Sequence, residues 1–145
     1  METLYAEPAR PADPPIFRVL VCGGRSYADK TRVCITLDKL CVDRSLSGEK
    51  DERGNWMPTG IRIIHGGASG ADALADDWAV VNWVPQDIFC AQWERDGRAA
   101  GPIRNQRMID EGKPDLVVAF PGGRGTADMV RRARAAGIEV MEIAR

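Results

Sequence analysis

Phe120-Pro121-Gly122-Gly123-Arg124-Gly125-Thr126-Ala127 follows the apolar run Leu116-Val117-Val118-Ala119 and precedes a helical pattern that closes at Gly137. A short buried strand, a glycine-rich turn and a helix, in that order, make an anion site. Glycines let the backbone approach a phosphate closely, and the first N–H groups of the helix have no partners within it. The arrangement recurs twice upstream. Phe17–Cys22 runs into Gly23-Gly24-Arg25-Ser26, and Ile61–Ile64 runs into His65-Gly66-Gly67-Ala68-Ser69-Gly70-Ala71-Asp72. One such turn says little, whereas three at equivalent places set the architecture.

Between these turns the chain alternates strand and helix patterns. Val33, Leu37, Leu40 and Cys41 fall at helical spacing, with Ser26-x-x-Asp29 as a candidate cap. Residues 43–60 are polar and punctuated by Gly48, Gly54, Pro58 and Gly60. They read as a loop insertion, either a surface excursion or a lid carrying the apolar island Trp56-Met57. Gly70 to Val84 reads as a helix with Leu74, Trp78 and Val81 on one face, stopped by Pro85. Asp87–Cys90 is a third short strand. A helix then opens at Pro102, with Ile103, Met108 and Ile109 as its apolar members, and Lys113-Pro114 ends it. Ile138–Ile143 alternates in polarity, which fits a sheet edge. The expectation is one α/β domain over residues 16–145, a mainly parallel sheet of about five strands with helices on both faces. The Pro- and Ala-rich residues 1–15 read as a disordered tail. In such a sheet the carboxyl ends of the strands share one rim where ligands bind, so all three turns should converge there.

Composition narrows the partners. A formal net charge of −1 gives no basis for bulk nucleic-acid or membrane-surface binding. No apolar stretch approaches the roughly 20 residues that span a bilayer, and the N-terminus lacks a signal-peptide pattern. Cys22, Cys34, Cys41 and Cys90 show no metal-ligand spacing and read as reduced, mostly buried thiols of a cytoplasmic protein. His65 is the only histidine, which excludes a multi-histidine centre; no metal site and no cofactor are expected.

Each turn offers candidate ligand groups beside a plainer role. Arg25 would reach over the rim as a planar fork for phosphate, or simply be solvated, and Ser26 would be an N-cap. His65 would contact ligand or order its loop. Asp72 would accept from a sugar hydroxyl, or complete a capping box with Ser69. Arg104 and Asn105, expected in a first helical turn after Gly101-Pro102-Ile103, put a cation where the helix dipole disfavours it by roughly 0.3–1 kcal/mol, a cost that a bound anion would offset. The alternative is a salt bridge from Arg104 to Asp96 or Glu94. Arg131, Arg132 and Arg134 form a basic stripe that reads as a solvated face. No triad and no acid pair stands out by spacing.

Taken together, Gly23–Tyr27, His65–Asp72, Gly101–Met108 and Phe120–Ala127 resemble the SLOG superfamily, most of all its YspA-type, cpYpsA-related branch. The resemblance spans nearly all of residues 16–143 and implies a Rossmann-like fold with a pocket for nucleotides or nucleotide-derived ligands. The Lonely Guy phosphoribohydrolases are similar at Pro121–Thr126 and at Arg104, but their catalytic Glu position falls on Met129 here. Asp128 is one residue away, a rotation of about 100° on a helix. The DNA-processing protein A family, which binds single-stranded DNA, is similar at Ser69–Asp72 and at Arg104-Asn105-Gln106-Arg107.

The resulting expectation is a sensor or ligand-binding module for a nucleotide-type small molecule. Its ligand-binding residues would be Gly23, Gly24, Arg25, Ser26, His65, Gly66, Gly67, Ala68, Gly70, Asp72, Arg104, Asn105, Pro121, Gly122, Gly123, Arg124, Gly125 and Thr126. The enzymatic alternative is a phosphoribohydrolase or other N-glycosidase using Arg104 with Asp128 or Asp72. Single-stranded nucleic acid ranks third as a partner, because that mode needs a basic groove and stacking aromatics. Related folds often pair, so a homo-oligomer is a further expectation; a membrane partner is not.

Overall fold

The computed structural model describes residues 15–145. The expected tail, apart from Pro15, lies outside the described residues. In chain order the elements are β1 (Phe17–Cys22), α1 (Lys30–Asp43), β2 (Gly48–Lys50), β3 (Trp56–Pro58), β4 (Ile61–His65), α2 (Ala71–Val81), β5 (Gln86–Ile88), α3 (Trp93–Asp96), a 3-10 turn (Gly97–Ala99), α4 (Ala100–Asp110), β6 (Leu116–Ala119), α5 (Arg124–Ala135) and β7 (Glu139–Glu142). Five strands form one sheet in the order β5-β4-β1-β6-β7, and every pairing in it is parallel. This is the Rossmann-like α/β fold.

Side chains in a strand alternate between faces, so a sheet covered on both sides needs apolar residues at every position. β1 follows that rule from Val19 onward. Val19 and Val21 join one core with Val33 and Leu37 of α1 and Ala75 and Trp78 of α2. Leu20 and Cys22 join the other, with Met108 of α4 and Met129 and Val130 of α5. From β1 the chain first builds outward through β4 to β5, then returns to the other side of β1 through β6 to β7. The order reverses between β1 and β6, which leaves a crevice above their carboxyl ends.

Several elements differ from the sequence expectation. Residues 43–60 are not a plain loop: β2 and β3 pair antiparallel as a hairpin. The hairpin enters β4 at its amino end, and Phe17 N–H donates to Gly60 at 2.8 Å, so it sits at the rim opposite the glycine turns. It is therefore no lid over them. α2 buries Ala71, Ala75, Trp78 and Ala79, while Val81 points to solvent; it ends before Pro85. The small alanines, not the larger Leu74 and Val81, let the helix lie close to the sheet. α1 is capped by Asp29, whose Oδ1 accepts from Arg32 N–H at 3.0 Å, and Ser26 takes no part. Cys90 is exposed, against the expectation of mostly buried thiols, and all four cysteines are free.

Candidate functional site

The three glycine turns meet above the carboxyl ends of β1, β4 and β6, and the first turn ties the other two together. Gly24 N–H donates to Pro121 at 2.9 Å, and Gly24 carbonyl accepts from Ala71 N–H at 3.2 Å. Such contacts leave no room for side chains. A Cβ on Gly122 would stand 2.2 Å from Thr126 Oγ1 and 2.6 Å from Gly24 N. Gly70, with φ +76°, would drive a Cβ to 2.1 Å from Gly24 O.

The helix that follows each of the last two turns treats its N-terminus differently. Asp72 occupies the first turn of α2, and its Oδ2 accepts from Gly66 N–H at 3.1 Å and Ala68 N–H at 3.2 Å. Asp72 thus braces the β4–α2 turn in place of the capping box expected with Ser69, whose hydroxyl instead donates to Arg25 O at 3.1 Å. Gly70 caps α2 without a side chain, but Ala71 N–H donates to Gly24 O and Asp72 puts a carboxylate in the first turn. The first N–H groups of α5 have neither: Gly123 caps the helix without a side chain, and its first turn has no acidic residue. Those N–H groups are the ones a helix leaves without internal partners. Arg124, its first residue, is the cation at the positive end of a helix dipole. That is the position expected for Arg104. Arg104 lies instead in the second turn of α4, because the helix begins at Ala100 and takes Pro102 into its first turn.

In front of α5 opens a chamber of about 840 Å³ between the β1 and β6 turns and α4. That volume lies within the roughly 300–1,000 Å³ of small-molecule sites. Arg25, Arg98, Arg104, Arg124 and Arg131 line it, against the acids Asp72 and Asp128. Arg131 and Arg132 both bond Asp128, the latter at 2.8 Å, and Asn105 donates to it at 3.0 Å. Among the described residues, Arg25, Arg98 and Arg124 make no ion pair. Arg104 forms neither expected salt bridge; its Nη1 donates to Gly66 O at 2.7 Å and its Nε to Asn105 at 3.1 Å. A smaller cavity of about 250 Å³ adjoins the chamber through Arg25, Ala68, Trp93 and Arg104, and also holds Gly66, Gly67 and Cys90.

Burial and charge set the titrations. Desolvation raises the Asp72 carboxyl, opposed by its bond from Ala68 and by the charge of Arg104. Desolvation lowers Arg104, opposed by the Asp72 carboxylate. Partial burial works to raise Asp128, but the bonds from Arg132 and Asn105 outweigh it and hold the carboxyl below its usual range. Burial, with help from Asp72 and Glu142, pushes the Cys22 thiol up to about 12.

The structure brings together most residues singled out from the sequence. Gly23, Gly24, Arg25, Ala68, Asp72, Arg104, Asn105, Gly123, Arg124, Gly125 and Thr126 line the chamber; Gly66 and Gly67 line the adjoining cavity; Pro121 and Gly122 lie behind α5. Ser26, His65 and Gly70 line neither cavity. His65 is 2% exposed, its Nε2 2.9 Å from Gln86 and its Nδ1 accepting from Gly67 N–H at 3.0 Å, so it orders the turn. Met129, at the place of the Lonely Guy glutamate, is 1% exposed in the core beneath α5, while Asp128 faces the chamber. Trp93, Arg98 and Cys90 are among the lining residues that were missed. Their signal was position, since the carboxyl end of β5 feeds the same rim as the other strands.

A parallel α/β sheet with glycine turns gathered at its switch point, and an open helix N-terminus facing arginines, makes a Rossmann-like domain with a candidate ligand site on its carboxyl rim. The chain belongs to the YspA, cpYpsA-related SLOG family, whose family model matches residues 17–95, the stretch holding the first two turns. It is also similar to the Gene 61 protein of Mycobacterium phage D29, 37% identical over 135 residues that cover 86% of this chain and 94% of the phage protein. Among the described residues no helix is long and apolar enough to cross a membrane.

Proposed function

We propose that the chain binds a nucleotide or nucleotide-derived phosphorylated ligand in the chamber, as a ligand-binding or sensing module. The observation that carries this reading is the uncapped N-terminus of α5 opening into a chamber with an excess of arginine. A phosphate there accepts from the N–H groups of Gly123 to Thr126 and offsets the charge of Arg124. Arg25 and Arg104 supply further donors, Asn105 braces the first turn of α5 through Gly125 O, and Asp72 lines the β4 side, where a sugar would follow. Membership of the SLOG family supports a nucleotide-related ligand. The N-glycosidase alternative has less support. Methionine handles no proton and stabilises no oxocarbenium-like centre, and Asp128 is engaged by Asn105 and two arginines.

A thermal-shift panel of nucleoside mono-, di- and triphosphates and ribose 5-phosphate tests the proposal, run on the wild type and Arg124→Ala. Arg124 is exposed and makes no ion pair among the described residues, so its removal leaves the fold intact. Ligand binding to the folded state stabilises by about 2.7 kcal/mol at a hundredfold excess over Kd. A stabilising nucleotide whose effect weakens in Arg124→Ala supports the reading. A panel without any shift refutes it.

A further inference from the structure

We propose that Trp93 and Arg25 form a stacking face for a flat ring, so that the site takes phosphorylated nucleosides in preference to sugar phosphates. This inference rests on the phosphate reading above and adds the other end of the ligand. Trp93 lines both the chamber and the smaller cavity beside it. Trp93 stands at the start of a four-residue helix and is 49% exposed, so part of its ring is open to a ligand. The Arg25 guanidinium lies 5.4 Å from the ring centroid, and on α4 a Cβ at Gly101 would come 3.6 Å from the indole edge.

Indole and guanidinium are both flat groups on which bases stack, with little regard for base identity. Arg25 follows β1 and Trp93 follows β5, so the two arms reach over the rim from different strands. The chamber then has a polar end, where α5 presents N–H groups and Arg124, and an aromatic end at Trp93. A phosphate-only ligand would use the first end alone. Arg25 belongs to both ends, which makes Trp93 the residue that separates the two contributions.

Calorimetric titrations of ribose 5-phosphate and the four common nucleoside 5′-monophosphates, on wild type, Trp93→Ala and Trp93→Phe, test this. Stacking of one base changes affinity by about 5- to 150-fold. The wild type is expected to bind at least one nucleotide tighter than ribose 5-phosphate by a factor in that range. Trp93→Ala should erase most of the difference by weakening nucleotide binding more than ribose 5-phosphate binding, and Trp93→Phe should keep most of it. Equal affinities in the wild type, or an equal loss for both classes in Trp93→Ala, overturn the stacking face and leave the phosphate reading standing. No binding of any phosphate compound overturns both.

Discussion

Gly125 is the second residue of α5, and a Cβ built there meets nothing within 4 Å outside the helix's own backbone. The protein itself therefore has no steric need for glycine at this position. Glycine costs a helix up to about 1 kcal/mol relative to alanine, partly through the freedom of the unfolded chain. Gly125→Ala should stabilise the fold by about 0.5–1 kcal/mol, which for a chain of this size raises Tm by about 1.5–3.5 °C. The added methyl stands in the chamber wall, where the proposed phosphate approaches the α5 N–H groups. Holding the anion back from charge-assisted bonds worth about 1.5–3 kcal/mol should weaken nucleotide binding by about 10- to 150-fold. Thermal unfolding and calorimetric titration of the same sample measure both effects. An unchanged or lower Tm refutes the steric reading. A higher Tm with undiminished nucleotide affinity refutes the placement of ligand against this turn.

Asp87 accepts from Arg62 at 2.8 and 2.9 Å and from Arg18 at 2.8 Å, which ties β5 to β4 and β1. Asp87→Ala should cost about 1–3 kcal/mol by urea unfolding, and loss of less than a few tenths would contradict that role. Its carboxyl is lowered chiefly by the Arg62 bond, so this stability is complete above the ordinary carboxylate pKa of about 4 and fades as pH falls through the lower folded value. Asp128 adds to the same acid loss, whereas the raised Asp72 works in the opposite direction, since its burial penalty is relieved on protonation. At pH 8 iodoacetamide should label exposed Cys90 first, and buried Cys22 and Cys41 only after unfolding, with mass spectrometry as the readout. Early labelling of Cys22 would refute the packing around β1. Met129→Glu, which restores the residue of the hydrolase family, should destabilise the fold by about 3–5 kcal/mol by burying an unpaired carboxylate, and should release no base from nucleoside monophosphates. Base release by this variant would show that the chamber needs only that carboxylate.

The centre of the main sheet was legible because β4, β1 and β6 are short and largely buried on both faces. Runs such as Val19-Leu20-Val21 and Leu116-Val117-Val118 have no polar member to obscure them. The glycine turns were legible for a related reason: close backbone approach at Gly24, Gly70 and Gly122 excludes other residues. The hairpin was not, since β2 and β3 are three residues each and β2 carries the exposed Glu49 and Lys50 with no buried face. The inward face of α2 was hidden because alanines fill it, and a reading by hydrophobicity prefers Leu74 and Val81. Arg104 was placed one turn too early because proline is tolerated throughout a first helical turn, so Pro102 marks a start only within a few residues. Trp93 was passed over inside a polar segment, and only the folding of that segment against the rim sets it beside Arg25. The role of Asp72 could not be read from spacing alone, since the same Ser-x-x-Asp pattern serves a capping box or a braced turn.

The central claim is that the ligand's phosphate sits at the N-terminus of α5, and amide NMR addresses it residue by residue. A ¹⁵N-labelled sample titrated with a nucleoside 5′-monophosphate should show its largest backbone shifts at Gly123, Arg124, Gly125 and Thr126, together with the Trp93 indole N–H. Shifts confined elsewhere, for instance to the hairpin-side cavity lined by Glu49, Met57 and Trp83, or no saturable shift at all, would contradict it.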